Sequence, residues 1–472
     1  MNKTLPKTLT EFSQLAAEQF LQTAVFIDDK IYDRKTGTVS EPRGLERRPS
    51  ARKPALKSAE RTSDAKPSLG TDEPPAADEY SPQDIVTSFA KKRIVCSLYQ
   101  PKREASVGQN SDAYQLCLAS DIVIVDWDLY GDLGQKALEL ITNLIKQSLT
   151  DVPEQLRLVL VYTKETNLQD VASRIYNQLV EVIPDGIEPP AEDQGLALHT
   201  PNTRVAILGK PGHRLSQYQS YEVSEKELAT RAVIEFSKLA SGLLQGAVLL
   251  GLAEIRGNSR KILTKFEATL DPAFLTHRAL LIPTNEDASD HILPLLVAEI
   301  QSILEDRFQS PLISEDLIED WCDNHWTPAA HAKSLVPNKI REAAKRLCLK
   351  KEYGSIKSKN ALILLLPSAD SSAHHRFAEL VSQRTHYLAT QRHLRLGTVL
   401  QDAQKRYFLC LHPVCDSVRL PGKRHFVFVQ LHDADSDSVE VSNGGKKVAN
   451  GRTNLIVFES NTSCFAHFFS HF

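Results

Sequence analysis

Three stretches of this chain set apolar residues side by side: "DIVIV" from Asp121, "RLVLVY" from Arg157 and "RVAIL" from Arg204. A strand with one wet face alternates apolar and polar residues. Apolar residues at successive positions need cover on both faces, as in a parallel sheet sandwiched by helices. The segments between them read as helices, "GQKALELITNLIKQSL" and "LQDVASRIYNQLVEVI". Two earlier runs, "TAVFIDD" and "RIVCSLY", complete the set, with a Pro82-initiated helix between them. Strand and helix alternate throughout, which predicts an α/β doubly wound five-stranded parallel sheet over about Thr23 to Ser220.

At 472 residues the chain is too long for one core. The patterning divides it into an N-terminal amphipathic helix (1–22), the α/β domain (23–220), a helical region (221–385) and a small β-rich domain (386–472). The α/β domain carries an insertion at about 34–80, rich in Arg, Lys, Pro and Ser. It holds too few large apolar residues to offset its ordering entropy, so disorder is expected there. In the helical region, "ASDHILPLLVAEIQSILEDRF" is the clearest helix. The β-rich region is read from "LGTVLQ", "RYFLCLHP", "HFVFVQLH" and "NLIVFES".

A net charge of −3 gives no bulk argument for a nucleic-acid or membrane partner. Seven scattered cysteines suit reduced thiols better than a disulfide framework. The N-terminal stretch lacks the apolar core of a signal peptide, and no run is long enough to span a membrane, so a cytoplasmic location is expected.

The decisive feature is where the apolar runs stop. "AVFI" ends on Asp28 and Asp29. "IVIV" ends on Asp126, with Asp128 two residues later. "RLVLVY" ends on Thr163, and "RVAILG" on Lys210. Open α/β sheets bind ligands outside the carboxyl ends of their strands. Several carboxylates converging there repel one another unless a cation sits among them, and hard oxygen ligands favour Mg²⁺. A hydroxyl and an ammonium beside such a cluster are what a phosphoryl group requires.

This order of motifs resembles the receiver domain of two-component response regulators: an acidic pair after strand one, an acceptor Asp after strand three, Ser/Thr after strand four, Lys-Pro after strand five. Trp127 after the acceptor and Gly134 eight residues beyond it extend the likeness. The resemblance implies that Asp126 is the phosphoacceptor. It implies Mg²⁺ held by Asp28, Asp29, Asp126 and the backbone carbonyl of Asp128, with Thr163 as switch hydroxyl and Lys210 as phosphate-binding cation. It implies a histidine kinase partner, a downstream effector protein, and no enzyme activity beyond the domain's own phosphorylation and dephosphorylation. The oligomeric state is left open. The chain departs from the pattern in its insertion, in a Pro-rich segment before strand five, and at Ile207, where the family's switch position is aromatic. The long insert and unfamiliar C-terminal half also resemble divergent receivers encoded beside histidine kinases in bacterial antiphage operons.

Other readings compete. "VIVDWDLYGD" has the nucleophile-x-Asp shape of haloacid-dehalogenase phosphatases, but the acidic pair here precedes that nucleophile, whereas that family's last acidic motif follows its lysine. A DNA-binding response regulator would use the basic stretch Lys339, Arg341, Lys345, Arg346, Lys350 and Lys351, although nucleic acid is not the expected partner. Cys410, His412 and Cys415, with Cys464 or His467, have zinc-ligand chemistry, but the preferred reading is Cys410 as core packing and "HPVCD" as a turn, while His374 and His375 are read as solvated. Asp at βα loops also arises from helix capping alone.

Overall fold

The computed structural model describes residues 6–32, 81–150, 156–183, 187, 193–200, 202–212, 215–281, 288–308 and 312–326. Beyond these it describes short stretches at 345, 349, 377, 380, 396–402, 404–411, 426–431, 442–443, 446–447, 453–458 and 464–469. The chain forms two compact units. The first comprises Met1–Lys261 and Ser302–Leu317, the second Ile262–Gln301 and Ile318–Phe472.

The first unit opens with helix α1 (Leu9–Phe20), which starts where Thr8 Oγ1 accepts the Glu11 amide at 3.2 Å. Strand β1 (Thr23–Ile27) follows, then α2 (Pro82–Lys91), capped by Ser81 with proline in its first turn. Next come β2 (Val95–Tyr99), α3 (Asp112–Leu118), β3 (Ile122–Asp126), α4 (Gln135–Thr150), β4 (Arg157–Thr163) and α5 (Leu168–Val182). Strands β5 (Ala197–His199) and β6 (Thr203–Gly209) and helices α6 (Leu228–Leu239) and α7 (Leu243–Lys265) complete its main run.

The sheet order is β2-β1-β3-β4-β6-β5. Five strands are parallel, and the sixth, β5, is antiparallel to β6. The expectation of five strands is therefore corrected to six. The segment before the last parallel strand turns back through a tight hairpin, in which Thr200 N donates to Thr203 O and Thr203 N to Thr200 Oγ1. Such a local turn lets three residues add to the sheet edge without a crossover.

Alternate side chains of the strands go to opposite faces. Val25, Ile27, Val123, Val125, Val159, Val161, Val205 and Ile207 join one core with α3, α4 and α5. Ile207, three residues before Lys210, is a fully buried member of it. On the other side α6 packs against β4 and β6, α2 against β2, and α1 against α6, where Phe20 stacks on Phe236 at 6.0 Å. An ion pair fixes α6 to the sheet: Glu235, 1% exposed, takes Arg204 Nε at 2.8 Å and Nη2 at 2.5 Å.

The second unit holds α8 (Asp271–Leu281) and much of α9 (Ala288–Arg307). The short helix α10 (Glu315–Asp320) leads into a π-helical turn at Trp321–His325. Strands β7 (Val399–Gln401), β8 (Tyr407–Cys410) and β9 (Phe428–Leu431) form an antiparallel sheet. Two antiparallel pairs follow: β10 (Ser442–Asn443) with β11 (Lys446–Lys447), and β12 (Thr453–Phe458) with β13 (Cys464–Phe469).

The insertion at 34–80 lies outside the described residues, as do His374, His375, His412 and Cys415. All of the basic stretch except Lys345 and all side chains of β13 lie outside them too. Cys96, Cys117 and Cys410 are free thiols. Among the described residues no helix is long and apolar enough to cross a membrane.

Candidate functional site

The strand order decides the site. The chain leaves β1 toward β2 on one side and later returns to β3 on the other, so β1 and β3 are neighbours whose connections diverge. At such a switch point the carboxyl ends of adjacent strands open into a crevice. Ile27 pairs with Val125, which sets the acids following β1 beside Asp126 at the end of β3. Carboxylate oxygens of Asp28, Asp29 and Asp126 lie within 4.8 Å of one another, and all three residues are buried.

Lys210 enters from the end of β6. Its Nζ lies 2.8 Å from Asp28 Oδ2 and 2.9 Å from Asp126 Oδ1. Its backbone N–H donates to Thr163 O at 2.7 Å, which ties the ends of β4 and β6 together. Thr163 Oγ1 accepts the Glu165 amide at 3.0 Å. Asp28, Asp126, Asp128, Thr163 and Lys210 all line one cavity of about 210 Å³, with Lys30, Lys164, Glu165 and Thr166. The side chain of Asp128 is engaged elsewhere, since its Oδ1 accepts the Leu133 amide at 2.9 Å.

Burial dominates the electrostatics. It raises the Asp126 carboxyl from the ordinary 3.8 to about 6; Lys210 pulls it back, while Asp28 and Asp29 push it further up. For Lys210 burial works against the ammonium, but Asp126 and Asp28 outweigh it and the net shift is upward. Lys210 thus bridges two of the three clustered acids, Asp28 and Asp126. Asp29 Oδ2 accepts the Tyr130 amide at 2.9 Å, whereas its Oδ1 is buried with no hydrogen-bond partner. A buried carboxylate oxygen without a donor, beside two further carboxylates, fits a hard divalent cation.

Trp127 and Gly134 form one device. The glycine has φ +87°, and a Cβ there would stand 2.3 Å from the Trp127 ring. Only a glycine lets the loop close over the indole. On its outer side the ring carries the Arg174 guanidinium at 5.0 Å. Trp127 and Arg174 border a second cleft of about 420 Å³, together with Leu133, Asn167 and Asp170.

Residues 20–215 match the family model described as the response receiver domain. This part of the chain is a receiver domain. The matched segment ends before α6, and the C-terminal half matches no family model. No curated protein and no solved structure matches the chain. The receiver supports a response-regulator role in two-component signalling, whose usual partner is a histidine kinase.

Sequence reasoning did not find Tyr130 or Tyr162. The Tyr130 amide holds Asp29, and a backbone contact leaves no mark in residue type. Tyr162 lies under the Lys210 ammonium, 5.5 Å from ring centre to Nζ, and its hydroxyl donates to Val223 O at 2.7 Å. In the sequence it reads as one more apolar residue of β4.

Proposed function

We propose that the receiver accepts a phosphoryl group on Asp126 from a histidine kinase. An Asp126 carboxylate oxygen would form the P–O bond as the donor's P–N bond breaks, in line with it. Mg²⁺ held by Asp28, Asp29, Asp126 and the Asp128 carbonyl would offset the negative charge of the phosphoryl oxygens. Lys210 would exchange its contact with Asp126 Oδ1 for one with a phosphoryl oxygen, and Thr163 would donate a hydrogen bond to another. The domain's chemistry would be its own phosphorylation and dephosphorylation. The observation that carries this reading is the lysine bridging Asp28 and Asp126 in a buried three-acid cluster.

With Ile207 locked in the core, the signal would leave by another route. Tyr162 lies under the lysine and hydrogen-bonds Val223, five residues before α6 begins. The regulated output, whether an effector protein or a role as phosphate sink or adaptor, would be read from that side. A setting in antiphage defence rests on the sequence resemblance alone, and a histidine kinase encoded beside this chain would support it.

The test is beryllofluoride with Mg²⁺, a mimic of the acyl phosphate. Wild type is expected to gain several degrees in Tm, and Asp126→Asn to gain none. Equal responses from the two proteins would remove Asp126 as acceptor.

A further inference from the structure

The loop between β3 and α4 runs through an unusual backbone. Tyr130 (φ +62°) and Leu133 (φ +58°) are left-handed, as are Gly131 and Gly134. A bulky residue in that region is uncommon and persists only where its surroundings hold it. Tyr130 is held from two sides. Its hydroxyl donates to Pro101 O at 2.5 Å in the β2–α3 loop, and the Lys136 ammonium sits 5.5 Å from its ring centre. The consequence of the left-handed turn is the N–H of Tyr130, which reaches Asp29 Oδ2 at 2.9 Å and leaves Oδ1 buried without a donor. The next turn of the chain after β1 is tied to the same β2–α3 loop, through Tyr32 N to Gln100 Oε1 at 2.9 Å.

The geometry points to Tyr130 as a positioning residue for the divalent cation. Its phenol anchors the loop to Pro101, the anchored loop keeps the backbone left-handed, and the amide turned inward in this way fixes the Asp29 carboxylate for the metal. Outer partners that orient a metal-binding carboxylate govern affinity in this manner. The inference rests on the proposed Mg²⁺ site and adds a residue outside the acidic cluster.

Two substitutions separate the backbone from the ring. Tyr130→Ala keeps the N–H but leaves a Cβ in the left-handed region with no anchor. Tyr130→Gly also loses the ring, yet adopts that φ freely. Binding is read with Mn²⁺, counted as free ion by electron paramagnetic resonance, with Mg²⁺ as competitor. Tyr130→Ala is expected to weaken binding about tenfold and Tyr130→Gly to remain within about threefold of wild type. Tyr130→Phe, which keeps the ring and loses the tether, is expected to fall between them. A role in packing alone would make glycine at least as damaging as alanine; that order, or wild-type affinity in all three variants, overturns the inference. If wild type itself binds no Mn²⁺, the metal reading of the site falls as well.

Discussion

Asp126 has a buried carboxyl whose neighbours are two acids and one lysine, and pH should report on it directly. Its pKa is raised from 3.8 to about 6 in the folded protein, chiefly by burial. Protonation therefore favours the fold. This contribution is complete below about pH 3.8 and is lost as pH rises through about 6. Without metal, Asp126→Asn should be the more stable protein at pH 7.5, by on the order of 2 kcal/mol, and the difference should be nearly gone at about pH 3.5, below the ordinary 3.8. Urea melts of both proteins at the two pH values measure it. A cation competes with the same proton, so apparent Mg²⁺ affinity should also fall as pH drops below about 6.

Helix α6 lies outside the matched receiver segment yet closes one face of its sheet. It is fixed there by the buried Arg204–Glu235 pair, which Arg231, Lys238 and His199 extend. Removing one partner strands the other charge in the interior. Glu235→Gln should cost about 3–5 kcal/mol, whereas replacing both Arg204 and Glu235 by leucine should cost far less. Chemical denaturation of the single and double variants distinguishes the two outcomes. The pair was not legible beforehand. Arg204 is the second residue of β6 and Glu235 sits in α6, and neither residue type announces burial. The Asp28, Asp29, Asp126, Thr163 and Lys210 set was legible, because each ends an apolar run.

The compact unit that contains the receiver runs well beyond residue 215. Leu228, Ala232 and Phe236 of α6 are buried, as is Tyr162 on the strand it covers. A fragment ending at residue 220 would expose this surface and is expected to aggregate or stay unfolded. One ending at residue 265 keeps α6 and α7, including the Arg256 contacts to Asp121 and the Phe20 carbonyl, and is expected to melt cooperatively. Circular dichroism melts of the two fragments compare them.

Local pattern was enough for the alternation of buried strands and helices, for the acids at strand ends, and for the likeness to a receiver. Apolar runs and the residues that end them are properties of short stretches, carried by the residues themselves. The sixth strand, the lysine bridging two carboxylates, the inward amide of Tyr130 and the burial of Arg204 with Glu235 came only with the folded chain. The sixth strand depends on a local hairpin, and the others on contacts between segments far apart in sequence or on the sign of a backbone angle; none of these is written in the identity of a single residue.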